Sequence, residues 1–155
     1  MKIGDILPQG VVSELAVSRE LKIADVIRIR CNFIDPVKHK YMVICCCEPL
    51  LVLIINSEIN EYIQRRPHLL QCQVDISKDD HPFFDHDSVI SCIDAHDAIE
   101  LEFTKQELEK DYFDILKGRV QPYCMREVYL AVKISKVMIA EHKRLILDAL
   151  YEFSD

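Results

Sequence analysis

A chain of 155 residues, half of them hydrophobic, is long enough to bury one core, and we expect a single domain over residues 1–155. No apolar run approaches the roughly 20 residues of a membrane-spanning helix, and the start of the chain lacks a secretory h-region, so we predict a cytoplasmic protein without membrane contact. The formal net charge of −7 argues against a general nucleic-acid coat, although a local basic cleft is still allowed.

Residues 1–22 carry weak signals and form a lead-in segment. Ser13 can cap a short helix there, or the segment can be poorly ordered. From Asp25 the pattern becomes that of a strand. One face carries mainly apolar residues (Val26, Ile27, Ile29, Cys31 and Phe33), and the other carries Arg28, Arg30 and Asn32. A turn at Asp35-Pro36 then leads into the basic stretch Lys38-His39-Lys40.

Two apolar, β-branched runs, Tyr41–Cys47 and Leu50–Ile55, are separated by Glu48-Pro49 and predict a buried antiparallel hairpin. The seven cysteines are an odd number and contain no C-x-x-C pair, so neither a disulfide framework nor a structural zinc site of the usual spacing is expected. Cys45, Cys46 and Cys47 fit a buried strand as small apolar residues.

The next segments predict short strands with loops between them. We expect Asn56-Ser57 to end the second strand of the hairpin, followed by one or two helical turns within Glu58–Gln64. Alternation of apolar and polar residues predicts a half-buried strand over Leu69–Ile76. A polar loop, Asp79–Asp87, contains Phe83 and Phe84, which we expect to dock into the core rather than serve a partner. Two more strands are predicted at Ser88–Ile93 and Ala98–Phe103.

Helix signals take over after residue 103. Thr104-Lys105-Gln106-Glu107 is a capping box, and the helix that it starts is expected to run to about Lys117, with Gly118 as the C′ residue. Pro122 suits the first turn of a second helix. The stripe of the last helix contains Ile139, Leu145, Ile146, Ala149, Leu150 and Phe153. Strands followed by helices predict an α+β fold, with a small antiparallel β-barrel over 23–103 and helices over 104–155.

Several segments resemble a known family in their order along the chain. They are the first strand Ile23-Ala24-Asp25-Val26-Ile27-Arg28-Ile29, the basic segment and strand Lys38–Ile44, Asn56-Ser57 at a strand end, the strand Asp87–Cys92, and Lys117-Gly118-Arg119-Val120 before a C-terminal helix. This order resembles the MazF/PemK toxin family. Two residues depart from its pattern: Ala24 replaces the usual Gly, and His39 stands where the family has Arg.

The resemblance implies an SH3-like barrel and an endoribonuclease that cleaves single-stranded RNA without metal or other cofactor. It also implies an antitoxin protein as partner and a homodimer. Carried over by position, the catalytic residues are His39 and Ser57: His39 as general acid or base, and Ser57 as donor to the scissile phosphate. Lys38 and Lys40, with Arg28 and Arg30 of the first strand, are the expected RNA-binding residues.

Other interpretations stay open. The alternative function is a non-catalytic protein-interaction module on the same scaffold. In that case Lys38-His39-Lys40 is a solvated approach to a strand, and Asn56-Ser57 is a simple turn. A metal site is not expected, because no fixed ligand spacing occurs among His81, Asp85, His86, Asp87, Cys92, Asp94, His96 and Asp97. Arg65-Arg66-Pro67-His68 is a further basic spot, which either extends an RNA-binding face or has no role. No Gly-rich phosphate loop is present.

Overall fold

A computed structural model describes residues 21–31, 38–97 and 116–155. The predicted Ser13 helix, the Asp35-Pro36 turn, the Ala98–Phe103 strand and the start of the Thr104 helix lie outside these ranges. The elements are β1 (Asp25–Cys31), β2 (Lys38–Cys47), β3 (Leu50–Asn56), α1 (Glu61–Gln64), α2 (Pro67–Leu70), β4 (Gln73–Ile76), β5 (Ser88–Ser91), β6 (His96–Asp97), β7 (Leu116–Arg119), α3 (Pro122–Ile134), α4 (Ala140–Ala149) and a 3-10 turn (Tyr151–Phe153).

The predicted hairpin forms the centre of the sheet. β2 and β3 pair antiparallel from Cys47 opposite Leu50 to Tyr41 opposite Ile55. The order of the strands is β4-β5-β3-β2-β1-β7, with β6 also paired to β3, and all these pairings are antiparallel. The sheet curls into a half-barrel, and helices follow at the C-terminal end, which confirms the α+β class and the barrel-like body.

One face of the sheet packs against the C-terminal helices. Alternate residues of the central strands enter this core, as the pleat of a strand requires. They meet Met125, Val128 and Val132 of α3 and Ile146 of α4. Cys45 and Cys46 are buried as expected, whereas Cys47 at the hairpin end is exposed. Burial raises the pKa of the Cys45 thiol, which is therefore an inert apolar side chain.

The helix that begins at Pro122 is confirmed, with the proline in its first turn. The apolar stripe predicted for the last helix is confirmed at Ile146 and Leu150, which are buried. It is wrong at Ile139, which is 59% exposed and lies before the helix begins. Among the described helices, none has the length and apolar character to cross a membrane.

Two predicted elements are wrong in part. The strand expected over Leu69–Ile76 begins only at Gln73, because Pro67 starts a helical turn whose last backbone amides bond back to the preceding turn. The helix expected to reach Lys117 does not, since Leu116–Arg119 is the edge strand β7 beside β1. Gly118 is therefore a strand residue, and a Cβ there would lie 2.9 Å from Cγ of Phe83.

Ala24, just before β1, has a left-handed backbone with φ of 78°. Its amide donates to the carbonyl of Ile44 at 2.9 Å, and its carbonyl accepts from the amide of Val120 at 2.8 Å. The bend thus connects β1 to β2 on one side and to the segment before α3 on the other. A glycine would reach this backbone conformation without strain.

Candidate functional site

A small pocket opens where β2 begins and β3 ends. These ends meet because antiparallel neighbours bring the start of one strand to the end of the next. The cavity has a volume of about 160 Å³. Its walls come from the two strand ends and from the loop before β5: His39, Lys40, Tyr41, Ile55, Asn56, Ser57, Phe84, Asp85, His86 and Ser88.

The structure brings His39 and Ser57 to this pocket. Tyr41 pairs with Ile55, so two further residues of the same register place His39 opposite Ser57. Both side chains are exposed at the mouth. The hairpin that the sequence predicts therefore also determines that these two residues are neighbours.

Lys40 is held in place beside them. Its ammonium group donates to Oδ1 of Asn56 at 2.6 Å, across the same pair of strands. The bond orients a positive charge at the pocket wall, where a phosphate oxygen would be attracted to it.

The loop between β4 and β5 is fixed by a buried histidine. His81 is fully buried, and its Nδ1 donates to the carbonyl of Ser77 at 2.8 Å. Its Nε2 accepts from the backbone amide of Gln121, the N-cap residue of α3, at 3.0 Å. These two bonds require the neutral imidazole with the proton on Nδ1.

The two aromatic residues of the loop also anchor it. Phe84 is buried and meets Tyr41 edge to face, with ring centroids 5.0 Å apart. Phe83 is partly buried and packs on the same core, so the expected docking of both rings is confirmed. His81 and Phe84 thereby place the following residues, Asp85 and His86, against the strand ends.

His86 is the pocket residue that sequence reasoning missed as a catalytic candidate. Its Nδ1 lies 2.9 Å from the carbonyl oxygen of Asp87, which can only accept, so this nitrogen carries the proton of the neutral ring. Nε2 then keeps its lone pair and can take up a proton. The only signal in the sequence was membership of the His/Asp-rich stretch, which was weighed there as a metal site.

The expected RNA-binding residues lie along the same end of the sheet. Arg28 is exposed, and its guanidinium carbon is 5.9 Å from the ring centroid of Tyr41, a residue of the pocket wall. Arg30 pairs with His39 and Lys38 pairs with Cys31 in the β1–β2 register; their side chains lie outside the described part. One opposing charge is present, because the exposed carboxylate of Asp85 also lines the pocket.

The other residues that were considered for a metal site do not lie together. Cys92 is in the core, while Asp94 and His96 line a second cavity beside β3. Within the ranges described, His, Cys, Asp and Glu form no group of three or more that could hold a metal ion. The basic spot after β3 lies away from the pocket wall: Arg65 pairs with Glu61, and Arg66 stacks on Tyr62 with 3.5 Å to the ring centroid.

No protein-family model, curated protein or solved structure matches this chain. The pocket and its chemistry are therefore the basis for assigning a function.

Proposed function

We propose that the protein is a metal-independent endoribonuclease for single-stranded RNA, built on an SH3-like barrel of the MazF/PemK type. The observation that carries this proposal is the shared pocket of His39, Ser57 and His86, with Lys40 held at its wall. Two imidazoles, a hydroxyl and an ammonium group are the set that transesterification of RNA needs.

Each residue has a role in this reaction. Nε2 of His86 accepts the proton of the ribose 2′-hydroxyl, and the 2′-oxygen forms a bond to phosphorus. The bond from phosphorus to the 5′-oxygen breaks, and protonated His39 gives its proton to that leaving oxygen. The products are a 2′,3′-cyclic phosphate and a 5′-hydroxyl end. Ser57 and Lys40 bind the phosphate oxygens while negative charge develops on them.

The open mouth of the pocket favours a single strand. The 2′-oxygen must rotate into line with the leaving oxygen, and a flexible backbone allows this rotation. Arg28 beside Tyr41 adds positive charge along the path of that backbone.

The decisive experiment measures cleavage of a mixed-sequence RNA by purified protein with all divalent metal chelated. We expect cleavage by the parent protein, and a loss of about 10²–10⁴-fold in rate for His39→Ala and for His86→Ala, the usual contribution of a general acid or base. Ser57→Ala is expected to lose less, because it removes one hydrogen bond to the phosphate.

His68→Ala is the matched control, since His68 is an exposed histidine on α2 outside the pocket. It should cleave at the parent rate. RNA with a 2′-deoxy sugar at the cleaved position should remain intact. If His39→Ala and His86→Ala cleave as fast as His68→Ala, the roles assigned to the pocket are wrong.

The second candidate function is a protein-interaction module, and one observation favours it. The surface of α3 and the segment after it carries large apolar side chains that are about half exposed: Leu130, Ile134 and Val137. Such a surface suits a partner protein, either an antitoxin or a second copy of the chain. Light scattering of the purified protein, alone and after coexpression with candidate partner proteins, tests this second function. A monomer that binds no partner would count against it.

A further inference from the structure

Two buried cysteines lie directly opposite each other at the end of the β4–β5 pair. Gln73 pairs with Ser91 in that register, so the next position outward places Cys72 opposite Cys92. A hydrogen bond joins these two residues, because the amide of Cys92 donates to the carbonyl of Cys72 at 2.8 Å. Opposite residues of an antiparallel pair share one face, and both of these side chains are buried in the core.

The separation of two such residues suits a disulfide after a small adjustment. Hydrogen-bonded opposite residues have Cα atoms about 5.5 Å apart, within the range of about 4.4–6.8 Å found in disulfides. Their Cβ atoms lie about 4.5–5.5 Å apart, slightly beyond the usual separation of about 3.5–4.5 Å in a disulfide. The strands must therefore approach a little when the bond forms, and the resulting strain makes the bond easier to reduce.

The surroundings favour Cys72 as the first of the two thiols to react. Burial raises the pKa of the Cys72 thiol, but Ser135 and the positive charge of Lys143 beside it act in the opposite direction. Lys143 is held there, since its ammonium group donates to the carbonyl of Ser135 at 2.6 Å. Burial, with Cys45 and Cys72 nearby, raises the pKa of the Cys92 thiol well above its usual value. The thiolate is the reactive form, so an oxidant meets the better nucleophile at Cys72.

Cys72 also lies just below the surface. Its neighbours Leu70 and Gln71 are exposed, and Gln71 and Gln73 line an open groove of about 410 Å³ between β4 and α3. β4 is the outermost strand on this side of the described sheet. A strand at an edge opens more easily than a central strand, so a small oxidant can reach the thiol from the groove.

We propose that Cys72 and Cys92 form a reversible disulfide when hydrogen peroxide oxidises the folded protein. Peroxide transfers one oxygen to the sulfur of Cys72 as its O–O bond breaks, which gives a sulfenic acid and water. The sulfur of Cys92 then forms the S–S bond while the S–O bond of the sulfenic acid breaks. The thiol proton of Cys92 leaves with the hydroxide as a second water. The two thiols lose two electrons, and the peroxide is reduced to two molecules of water.

The segment between the two cysteines contains β4, β5 and the loop that places His86 beside the pocket. A disulfide joins the two ends of this segment, so they can no longer separate when the strands open. The oxidation site therefore acts on a part of the chain that shapes the pocket. It does not rest on the proposed function, because it depends only on the positions of the two thiols.

The test treats the folded parent protein with hydrogen peroxide, alkylates the remaining thiols and maps disulfide-linked peptides by mass spectrometry. We expect the Cys72–Cys92 pair to exceed every other pair by about 10-fold or more, because among the described cysteines these two occupy directly opposite positions. Dithiothreitol should restore both thiols in the folded protein. In protein unfolded by guanidinium chloride, the same treatment should give mixed pairs, because the fold no longer selects the partner of each cysteine.

Single variants test the order of the two steps. Cys92→Ala should leave Cys72 as a sulfenic acid, which dimedone traps as a stable adduct. Cys72→Ala should leave Cys92 as a thiol. Cys124→Ala is the matched control, since Cys124 is a buried cysteine of the same core on α3, and it should form the Cys72–Cys92 bond as the parent does.

The mapping in the parent protein decides the proposal even if a variant fails to fold. Absence of a Cys72–Cys92 disulfide in the oxidised, folded parent overturns the proposal. A predominant bond between Cys92 and Cys45 overturns it as well, and so does the same mixture of pairs in the folded and the unfolded protein.

Discussion

His81 and His86 belong to one loop but have different surroundings. His81 is fully buried with both ring nitrogens bonded, while His86 is exposed with one nitrogen bonded to the chain. His96, beside β3, is partly buried and titrates at lower pH than an exposed imidazole. The same side chain thus supports the fold at His81, whereas at His86 it is exposed beside the pocket.

His96 should make the stability of the fold depend on pH. Its pKa in the folded chain is lowered by burial from the usual value of about 6.5. As the pH falls below that value, the unfolded chain binds the proton first, so this contribution to the free energy of unfolding is lost on acidification. We expect His96→Asn to lose less stability than the parent between pH 7 and pH 5. Thermal unfolding across this range measures it.

His68→Asn is the control for that comparison, because His68 is exposed on the surface of α2. It should follow the parent's pH dependence. If the parent, His96→Asn and His68→Asn lose stability equally as the pH falls, the environment of His96 does not favour the neutral ring.

The meeting of His39 and Ser57 at one pocket could be predicted from the sequence, and the presence of His86 beside them could not. His39 and Ser57 flank two strands whose apolar runs and turn residues are clear, so the antiparallel register determines their meeting. His86 has no such local signal. Its position depends on the burial of His81 and Phe84, which is a tertiary effect that no short pattern encodes.

At the scale of single elements, the bend at Ala24 offers a test. The left-handed backbone costs an alanine about 1–2 kcal/mol, which glycine avoids. Ala24→Gly also loses a buried methyl and gains chain entropy on unfolding, each about 0.5–1 kcal/mol. The opposing effects nearly cancel, so we expect the free energy of unfolding to change by less than about 1 kcal/mol, as measured by denaturant titration.

Ala131→Gly is the matched substitution, because Ala131 is buried in the same core but lies within α3. It has no strained backbone to relieve and loses helix propensity as well, so it should cost about 2 kcal/mol. If both glycine variants cost the same, the left-handed conformation at Ala24 contributes no strain.

Elements with strong local signals were predicted, and elements that depend on distant partners were not. The β2–β3 hairpin and the Pro122 helix follow from apolar runs, a turn and a helix-starting proline. α2 was missed because the alternation from Leu70 to Ile76 continues the period of a strand through a helical turn. β7 was missed because its only role is to pair with β1, and Gly118 reads equally well as a helix end or as a site of close approach.

At the scale of the whole molecule, the proposed RNA binding has to rely on a few local charges, because the chain is acidic. The net charge is −7, so repulsion surrounds the positive residues at the pocket. We expect RNA affinity to fall with salt, and Lys40→Ala to reduce the slope of log K against log salt by about 0.7, the value for one phosphate contact on a single strand. Fluorescence anisotropy with labelled RNA at several salt concentrations measures the slope.

Lys133→Ala is the control, since Lys133 is an exposed lysine on α3 that lines neither cavity. It removes the same charge from the chain and should leave the slope unchanged. A similar reduction in both variants would assign the effect to overall charge, and Lys40 would then make no phosphate contact.

The hydrogen bond from Gln121 to His81 also bears on when the pocket can form during protein synthesis. Protein synthesis proceeds from the N-terminus, so the strands and the loop with His86 emerge before the residue that anchors that loop. The loop acquires its final position only when the start of α3 has been made and has folded onto the sheet. A nascent chain on the ribosome therefore carries an unassembled pocket until that stage of synthesis.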